Sequence, residues 1–124
     1  MLRWLMLVSG GFEALFGLSA LLAPDMLVFA LGASPDAAAV FLARILGAAT
    51  LGIGVAALLA REYIDNKGGL AAAYGLALYN VLAGALILWT AWVIGLGGAT
   101  LLGAGLFHAL MGALFVYALA VEWR

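Results

Sequence analysis

The chain has 124 residues, of which 69% are hydrophobic and only 9% are charged. Ordinary soluble domains have about a quarter of their residues charged, so this composition excludes a soluble globular protein. The absence of cysteine excludes disulfides, thiol chemistry and thiolate metal sites, and a net charge of −1 without a basic cluster argues against nucleic-acid binding. We therefore expect a small integral membrane protein with one domain over residues 1–124.

Four apolar segments are long enough to cross a bilayer, since a helical crossing takes about 20 residues. They run approximately over residues 4–22, 35–60, 69–94 and 99–121. The predicted fold class is all-α: an integral membrane four-helix bundle whose partner is the lipid bilayer.

A short apolar segment separates the first two spans. Pro24 and Asp25 stop the first helix, and residues 26–31 follow before Gly32. This segment is too short to span and too apolar to lie in water, so we expect a short interfacial helix. Ser34 is the predicted N-cap of the second span, because a proline and an aspartate follow it.

The loop charges predict the orientation in the membrane. Alternation of the spans puts four cationic residues on the side of the chain ends, namely Arg3, Arg61, Lys67 and Arg124. The opposite side has Asp25 and Asp36 and no Lys or Arg. The positive-inside rule then places both termini in the cytoplasm, with the protein in a bacterial-type inner membrane.

Each span carries one polar residue, and these are Glu13, Arg44, Asn80 and His108. At a rise of 1.5 Å per residue, they lie about 13 to 21 Å from the outer ends of their helices, near one depth. An isolated charge inside the bilayer costs ~2.5–3.5 kcal/mol or more, so these residues are expected to face inward and find partners. We expect a Glu13–Arg44 ion pair and a His108–Asn80 hydrogen bond.

Small residues lie on the same helical faces as the polar layer. Such residues let membrane helices approach closely. Tight packing is therefore predicted at six glycines, which are Gly10, Gly17, Gly47, Gly84, Gly105 and Gly112.

Two interpretations of the polar layer remain open: it holds the helices in register, or it forms one end of a ligand site. Four large apolar residues lie within one or two turns of it and either form the walls of a pocket or fill the core: Phe16, Phe41, Met111 and Phe115. A b-type haem needs two axial ligands and the chain has one histidine, and His108 with Glu13 offers too few ligands for a metal. No metal and no cofactor are expected, apart from a bound lipid or quinone.

The sequence resembles the DoxX-like group of small four-helix membrane proteins. The resemblance lies in Leu22-Ala23-Pro24-Asp25 with Leu31-Gly32, and in Ala43-Arg44-Ile45-Leu46-Gly47 with Leu51-Gly52-Ile53-Gly54. It implies a four-helix bundle in the cytoplasmic membrane, and some members of the group are accessory subunits of quinone-linked or redox membrane complexes. No catalytic residues are carried over from it.

A second, shorter resemblance is to the small multidrug resistance transporters. Gly11-Phe12-Glu13 in a first helix is similar to their motif, and it implies that Glu13 exchanges protons for a cationic substrate. Three features depart from that family: neutralisation of Glu13 by Arg44, the additional segment 25–31, and the single orientation that the loop charges impose.

Three functions follow, in order of preference. The first is a non-enzymatic accessory or ligand-binding membrane protein, which binds a lipid or quinone and associates with other membrane subunits or with itself. The second is a proton-coupled transporter that uses Glu13. The third is a small membrane enzyme with Glu13 and His108 as acid and base. The state of Glu13 distinguishes these functions: a carboxylate in a salt bridge favours a structural role, and a free, titrating carboxylate favours transport or catalysis.

Overall fold

The computed structural model describes residues 1–122 and consists almost entirely of helices. The five α-helices are α1 (Leu2–Leu22), α2 (Pro24–Ala30), α3 (Ala37–Ala60), α4 (Lys67–Trp89) and α5 (Gly98–Glu122). A 3-10 turn at Arg61–Tyr63 extends α3, and a π-helical turn at Thr90–Ile94 extends α4. Every helix except α2 is long and apolar enough to cross a membrane. The predicted all-α class is confirmed, and the chain is a multi-pass membrane protein.

Side-chain caps define where two of the spans begin. Asp36 Oδ1 accepts a hydrogen bond from the Ala39 amide at 2.8 Å, and Asn66 Oδ1 accepts one from the Gly69 amide at 3.0 Å. The prediction that Ser34 caps α3 is therefore wrong, because the aspartate two residues later provides the acceptor for the free amide of the first turn. The short helix between the first two spans is present as α2 and begins at its proline.

The four long helices form two tightly packed pairs, α1 with α3 and α4 with α5. A Cβ atom added at Gly54 would lie 2.6 Å from the Gly10 carbonyl oxygen, and one at Gly47 would lie 2.8 Å from that of Gly17. In the second pair, a Cβ at Gly84 would lie 2.7 Å from the Ala109 amide nitrogen. Backbone therefore packs directly on backbone, and the predicted close approach at small residues is confirmed.

The two halves of the bundle differ in how well they are filled. The half that contains Leu2, here called the terminal half, holds the hydrophobic core. Its buried side chains come from all four long helices: Leu2, Leu5, Met6, Ala57, Ala73, Leu76, Ala77, Met111, Phe115, Ala118 and Leu119. The opposite half, here called the α2 half, contains α2 and the two loops that meet where Gly32 approaches Gly97.

Charged side chains gather at the ends of the helices in the terminal half. Arg3 lies 3.5 Å from Asp65 and 3.9 Å from Glu62, and Arg61 lies 3.0 Å from Glu62. These exposed ion pairs connect the start of α1 to the turn after α3. Arg124, the fourth cation of the orientation prediction, lies outside the described residues.

Candidate functional site: a buried polar network beside an apolar cavity

A network of polar side chains from three helices crosses the middle of the bundle. It joins Ser9 and Glu13 of α1, Tyr79 and Asn80 of α4, and His108 of α5. Ser9 and Glu13 share one face of α1 because they are four residues apart. Ser9, Glu13 and Asn80 are fully buried, and His108 is 5% exposed. The network lies between the filled terminal half and the α2 half.

The carboxyl group of Glu13 has one strong partner and one distant one. The Tyr79 hydroxyl donates to its Oε2 at 2.9 Å. Its Oε1 lies 3.6 Å from His108 Nδ1, which is within ion-pair range but too long for a hydrogen bond. Among the side chains that the structure describes, Oε1 is the one buried polar atom without a hydrogen-bond partner. Such an atom is costly in an apolar interior, which marks this position as a candidate for function.

Asn80 determines the tautomer of His108. Its Nδ2 donates to the Leu76 carbonyl at 2.8 Å and to Ser9 Oγ at 2.9 Å. A carbonyl only accepts, so the amide nitrogen faces Leu76 and the amide oxygen faces His108. That oxygen lies 3.0 Å from His108 Nδ1. Nδ1 therefore carries a hydrogen, and the expected His108–Asn80 hydrogen bond is present.

Aromatic rings enclose His108. The rings of Phe12, Tyr79 and Phe107 meet the imidazole edge to face, with centroids 5.6 to 5.8 Å away. Phe12 and Phe107 also contact each other at 4.2 Å. These rings limit the rotation of the imidazole and keep its surroundings apolar, so polar contacts at its nitrogens are strong.

Arg44 does not join this network, and the expected Glu13–Arg44 pair is absent. The residue is exposed on α3 and forms no ion pair or hydrogen bond with any residue in the described part of the chain. The reason is geometric. The face of α3 toward α1 is taken by Gly47 and Gly54, which pack at backbone distance on α1 and leave no room for a guanidinium group.

A cavity of about 400 Å³ adjoins the network on its α2 side. Its walls come from α1, α3, α4, α5 and the residue after α2, Leu31, and most of its lining is apolar. Tyr79 and His108 are the polar residues in the wall. Because Nδ1 of His108 is bonded to Asn80, the ring nitrogen available to an occupant is Nε2. Glu13 does not line the cavity and reaches it only through these two side chains.

An apolar groove of about 690 Å³ continues from the cavity, between α3 and α4 and beneath α2. The cavity and the groove share five wall residues, which are Leu31, Leu46, Leu86, Ile87 and Leu101. The groove is open on its outer side, where lipid would surround a membrane-embedded bundle. The groove and the cavity are therefore neighbours with apolar walls in common.

The four predicted wall residues have different positions. Phe16 lines the cavity. Met111 and Phe115 instead fill the core of the terminal half, because they lie on the other side of the polar network. Phe41 is 62% exposed on the outer face of α3, since the small residues of that helix occupy its inward face.

Sequence reasoning did not place Tyr79, Ser9, Phe12 or Phe107 in the site. A signal for Tyr79 exists, because tyrosines in membrane proteins concentrate at the interfaces and this one lies in the middle of a span. The two phenylalanines directly precede Glu13 and His108 in sequence. Their contact follows from the close approach of α1 and α5, which the sequence does not reveal.

The site offers hydrogen-bond and proton chemistry. Within residues 1–122 no three His, Asp or Glu side chains come together as a metal site would require. Comparison with family models, with curated proteins and with solved structures finds no match to this chain.

Proposed function

We propose that the protein is a small integral membrane accessory or ligand-binding protein that holds a lipid-like or quinone-like molecule in the cavity beside His108. The observation that carries this proposal is the combination of an apolar cavity of about 400 Å³ with two polar groups, Tyr79 and His108, at its inner end. Apolar walls with a few convergent polar groups are the usual form of a small-molecule site.

The shape of the space suits a molecule with a polar head and an apolar tail. A head group in the cavity would meet His108 Nε2 and the Tyr79 hydroxyl, while an acyl or isoprenoid tail would extend into the groove between α3 and α4. Entry from the bilayer through this groove requires no passage through water. Because the tail leaves lipid and not water, its affinity comes from van der Waals packing against the walls and from the hydrogen bonds of the head group, not from the hydrophobic effect.

The proposed setting is a bacterial-type inner membrane with both termini in the cytoplasm. The support is the excess of Lys and Arg on the side of the chain ends, where Arg3, Arg61 and Lys67 lie. The resemblance to DoxX-like proteins supports association with a larger membrane complex, including a quinone-linked or redox one.

Thermal unfolding of the purified chain in detergent tests the proposal. We expect a long-chain quinone or a phospholipid to raise the melting temperature, and His108→Ala to abolish the increase. Ala104→Phe fills the cavity and should also abolish it, whereas Ala113→Phe, at an exposed position of the same helix, should leave it unchanged. An equal ligand response in both phenylalanine variants would contradict binding in the cavity.

A proton-coupled transporter of the small multidrug resistance type is the second candidate. The observation in its favour is that Glu13 is not neutralised by Arg44 and has a carboxyl oxygen without a hydrogen bond. The separation of Glu13 from the cavity favours the first candidate, because an exchanged cation would need to contact the carboxylate. A stabilising, pH-dependent response to an aromatic or guanidinium-type cation that Glu13→Gln abolishes would favour transport instead.

A further inference from the structure

The hydrogen bonds of the network restrict where one proton can lie. We infer that Glu13 and His108 share a single proton, and that the head group in the cavity decides which of the two residues carries it. The inference rests on the proposed ligand binding and adds to it the chemical class of the head group: a carbonyl and a hydroxyl are bound by different proton arrangements.

The geometry around His108 leaves one free position. Nδ1 donates its hydrogen to Asn80, so the ring is neutral when Nε2 is bare and cationic when Nε2 is protonated. Glu13 Oε1, 3.6 Å from Nδ1 and without a hydrogen bond, is the nearest counter-charge for the cationic ring. The two residues are therefore coupled through space.

Few other groups compete for this proton. Tyr79 faces the pair from α4 and is bonded to Glu13 Oε2. The buried polar residue of α3, Thr50, donates to carbonyls of its own helix, and Arg44 is exposed. The buried residues of α2 are Pro24 and Val28, which do not titrate.

A carbonyl head accepts hydrogen bonds and therefore requires a hydrogen on Nε2. The proton leaves the Glu13 carboxyl group and joins Nε2, so a carboxylate faces an imidazolium and the net charge of the pair remains zero. Tyr79 donates its hydroxyl hydrogen to Oε2 and, like His108, is a wall residue of the cavity, so the carboxyl group and the imidazole are both close to the bound head group. No bond other than the O–H and N–H bonds changes.

A hydroxyl head instead donates to a bare Nε2, and the proton then stays on Glu13. Both arrangements are neutral overall, so neither leaves a net charge in an apolar interior, where an uncompensated charge would be expensive. The site is thereby able to hold either head group, and the position of the proton reports which one is present.

The test uses menthone and menthol, a ketone and an alcohol with the same carbon skeleton. His108 is the only histidine in the sequence, so isotope labelling of histidine gives ring-nitrogen NMR signals from this residue alone. With the full chain in lipid bicelles, we expect menthone to move the Nε2 signal to the position of a protonated nitrogen. Menthol should leave Nε2 unprotonated.

Glu13→Gln provides the matching binding measurement, because glutamine cannot release a proton or balance an imidazolium. We expect menthone to bind about tenfold more weakly to this variant, a loss of about 1.4 kcal/mol, because a hydrogen bond from a charged donor is stronger than one from a neutral donor. The dissociation constant of menthol should differ by less than about twofold between this variant and the unmodified protein. Thr50→Val, also buried but bonded only within α3, should change neither affinity.

The outcomes separate this inference from the proposed function. Binding of menthone with Nε2 still unprotonated overturns the shared proton and leaves ligand binding intact. Failure of both compounds and of the long-chain quinone to bind removes the proposed function itself. If Glu13→Gln does not fold, the spectra of the unmodified protein decide alone.

Discussion

Glu13 and Arg44 show two ways of keeping a titratable residue within a membrane span. Glu13 is fully buried and bonded to Tyr79 across the bundle. Arg44 is exposed and lies seven residues after the start of α3 at Ala37, which is about 10 Å along the helix. Side chains of a helix lean toward its N-terminus, so the guanidinium group can reach back to the membrane interface on the α2 side.

Because these two residues do not touch, their substitutions should act independently. We expect Glu13→Gln to change the free energy of unfolding by less than about 1 kcal/mol, since glutamine retains an acceptor for the Tyr79 hydroxyl and interhelical hydrogen bonds in membranes average about 0.6 kcal/mol. If the two residues formed a buried ion pair, Glu13→Gln would leave Arg44 without its partner and lower the free energy of unfolding by ~3–5 kcal/mol. Arg44→Leu should not lower stability.

The double-mutant cycle measures this directly by reversible unfolding in mixed micelles. The coupling energy between Glu13→Gln and Arg44→Leu should be below about 0.5 kcal/mol, as for distant sites. A coupling of several kcal/mol would mean that the two side chains form an ion pair after all.

At the scale of helices, the glycines determine which faces meet. Gly17 packs on the backbone of α3 at Leu51 and Gly47, whereas nothing lies within 4 Å of a Cβ added at Gly11. The two positions belong to the same helix and differ mainly in this contact. They therefore form a matched pair for testing the α1–α3 interface.

We expect Gly17→Ala to destabilise the bundle by about 1–3 kcal/mol, because the added methyl group pushes two backbones apart. Gly11→Ala should be neutral or stabilise by up to about 1 kcal/mol, since alanine is the better helix former. Thermal unfolding of both variants in the same detergent provides the measurement. Equal melting temperatures would show that α1 and α3 are not held by this contact.

Helix length was the part of the fold that the sequence predicted best, because a span needs an apolar run of fixed length. Helix rotation was harder to predict. For α3, Arg44 and Gly47 are three residues apart and were expected on one inward face, but the helix is turned so that Gly47 packs on α1 and Arg44 is exposed. Steric contact at Gly47 outweighs the preference of an arginine for the interior. The same rotation moves Phe41 outward and leaves Tyr79, from another helix, as the partner of Glu13.

At the scale of the whole molecule, the orientation in the membrane can be tested without removing any native cysteine, since the sequence has none. Ser34→Cys and Asp65→Cys each introduce one thiol at an exposed position, on opposite sides of the bundle. We expect a membrane-impermeant maleimide to label position 34 in intact cells. Position 65 should react only after the membrane is opened.

Labelling of position 65 in intact cells, with protection of position 34, would show that the orientation is opposite to the predicted one and would contradict the positive-inside argument. Labelling of both positions in intact cells would indicate a dual orientation. That result would favour the transporter candidate, because a single fixed orientation is one of the features that separate this chain from the small multidrug resistance transporters.

The contrast between the filled and the open half also gives the bundle a mechanical asymmetry. Within each helix pair the backbones are in contact, whereas the two pairs are joined by the core of the terminal half, by the polar network and by the loop contact at Gly32 and Gly97. The core is the more rigid end of the bundle, and the α2 half, which holds the cavity and the groove, is the end at which the pairs can separate. Because large motions follow the weakest packing, we expect the least costly one to be a rotation of one pair against the other about the core of the terminal half. It widens the gap between α3 and α4 while every glycine contact within a pair stays closed.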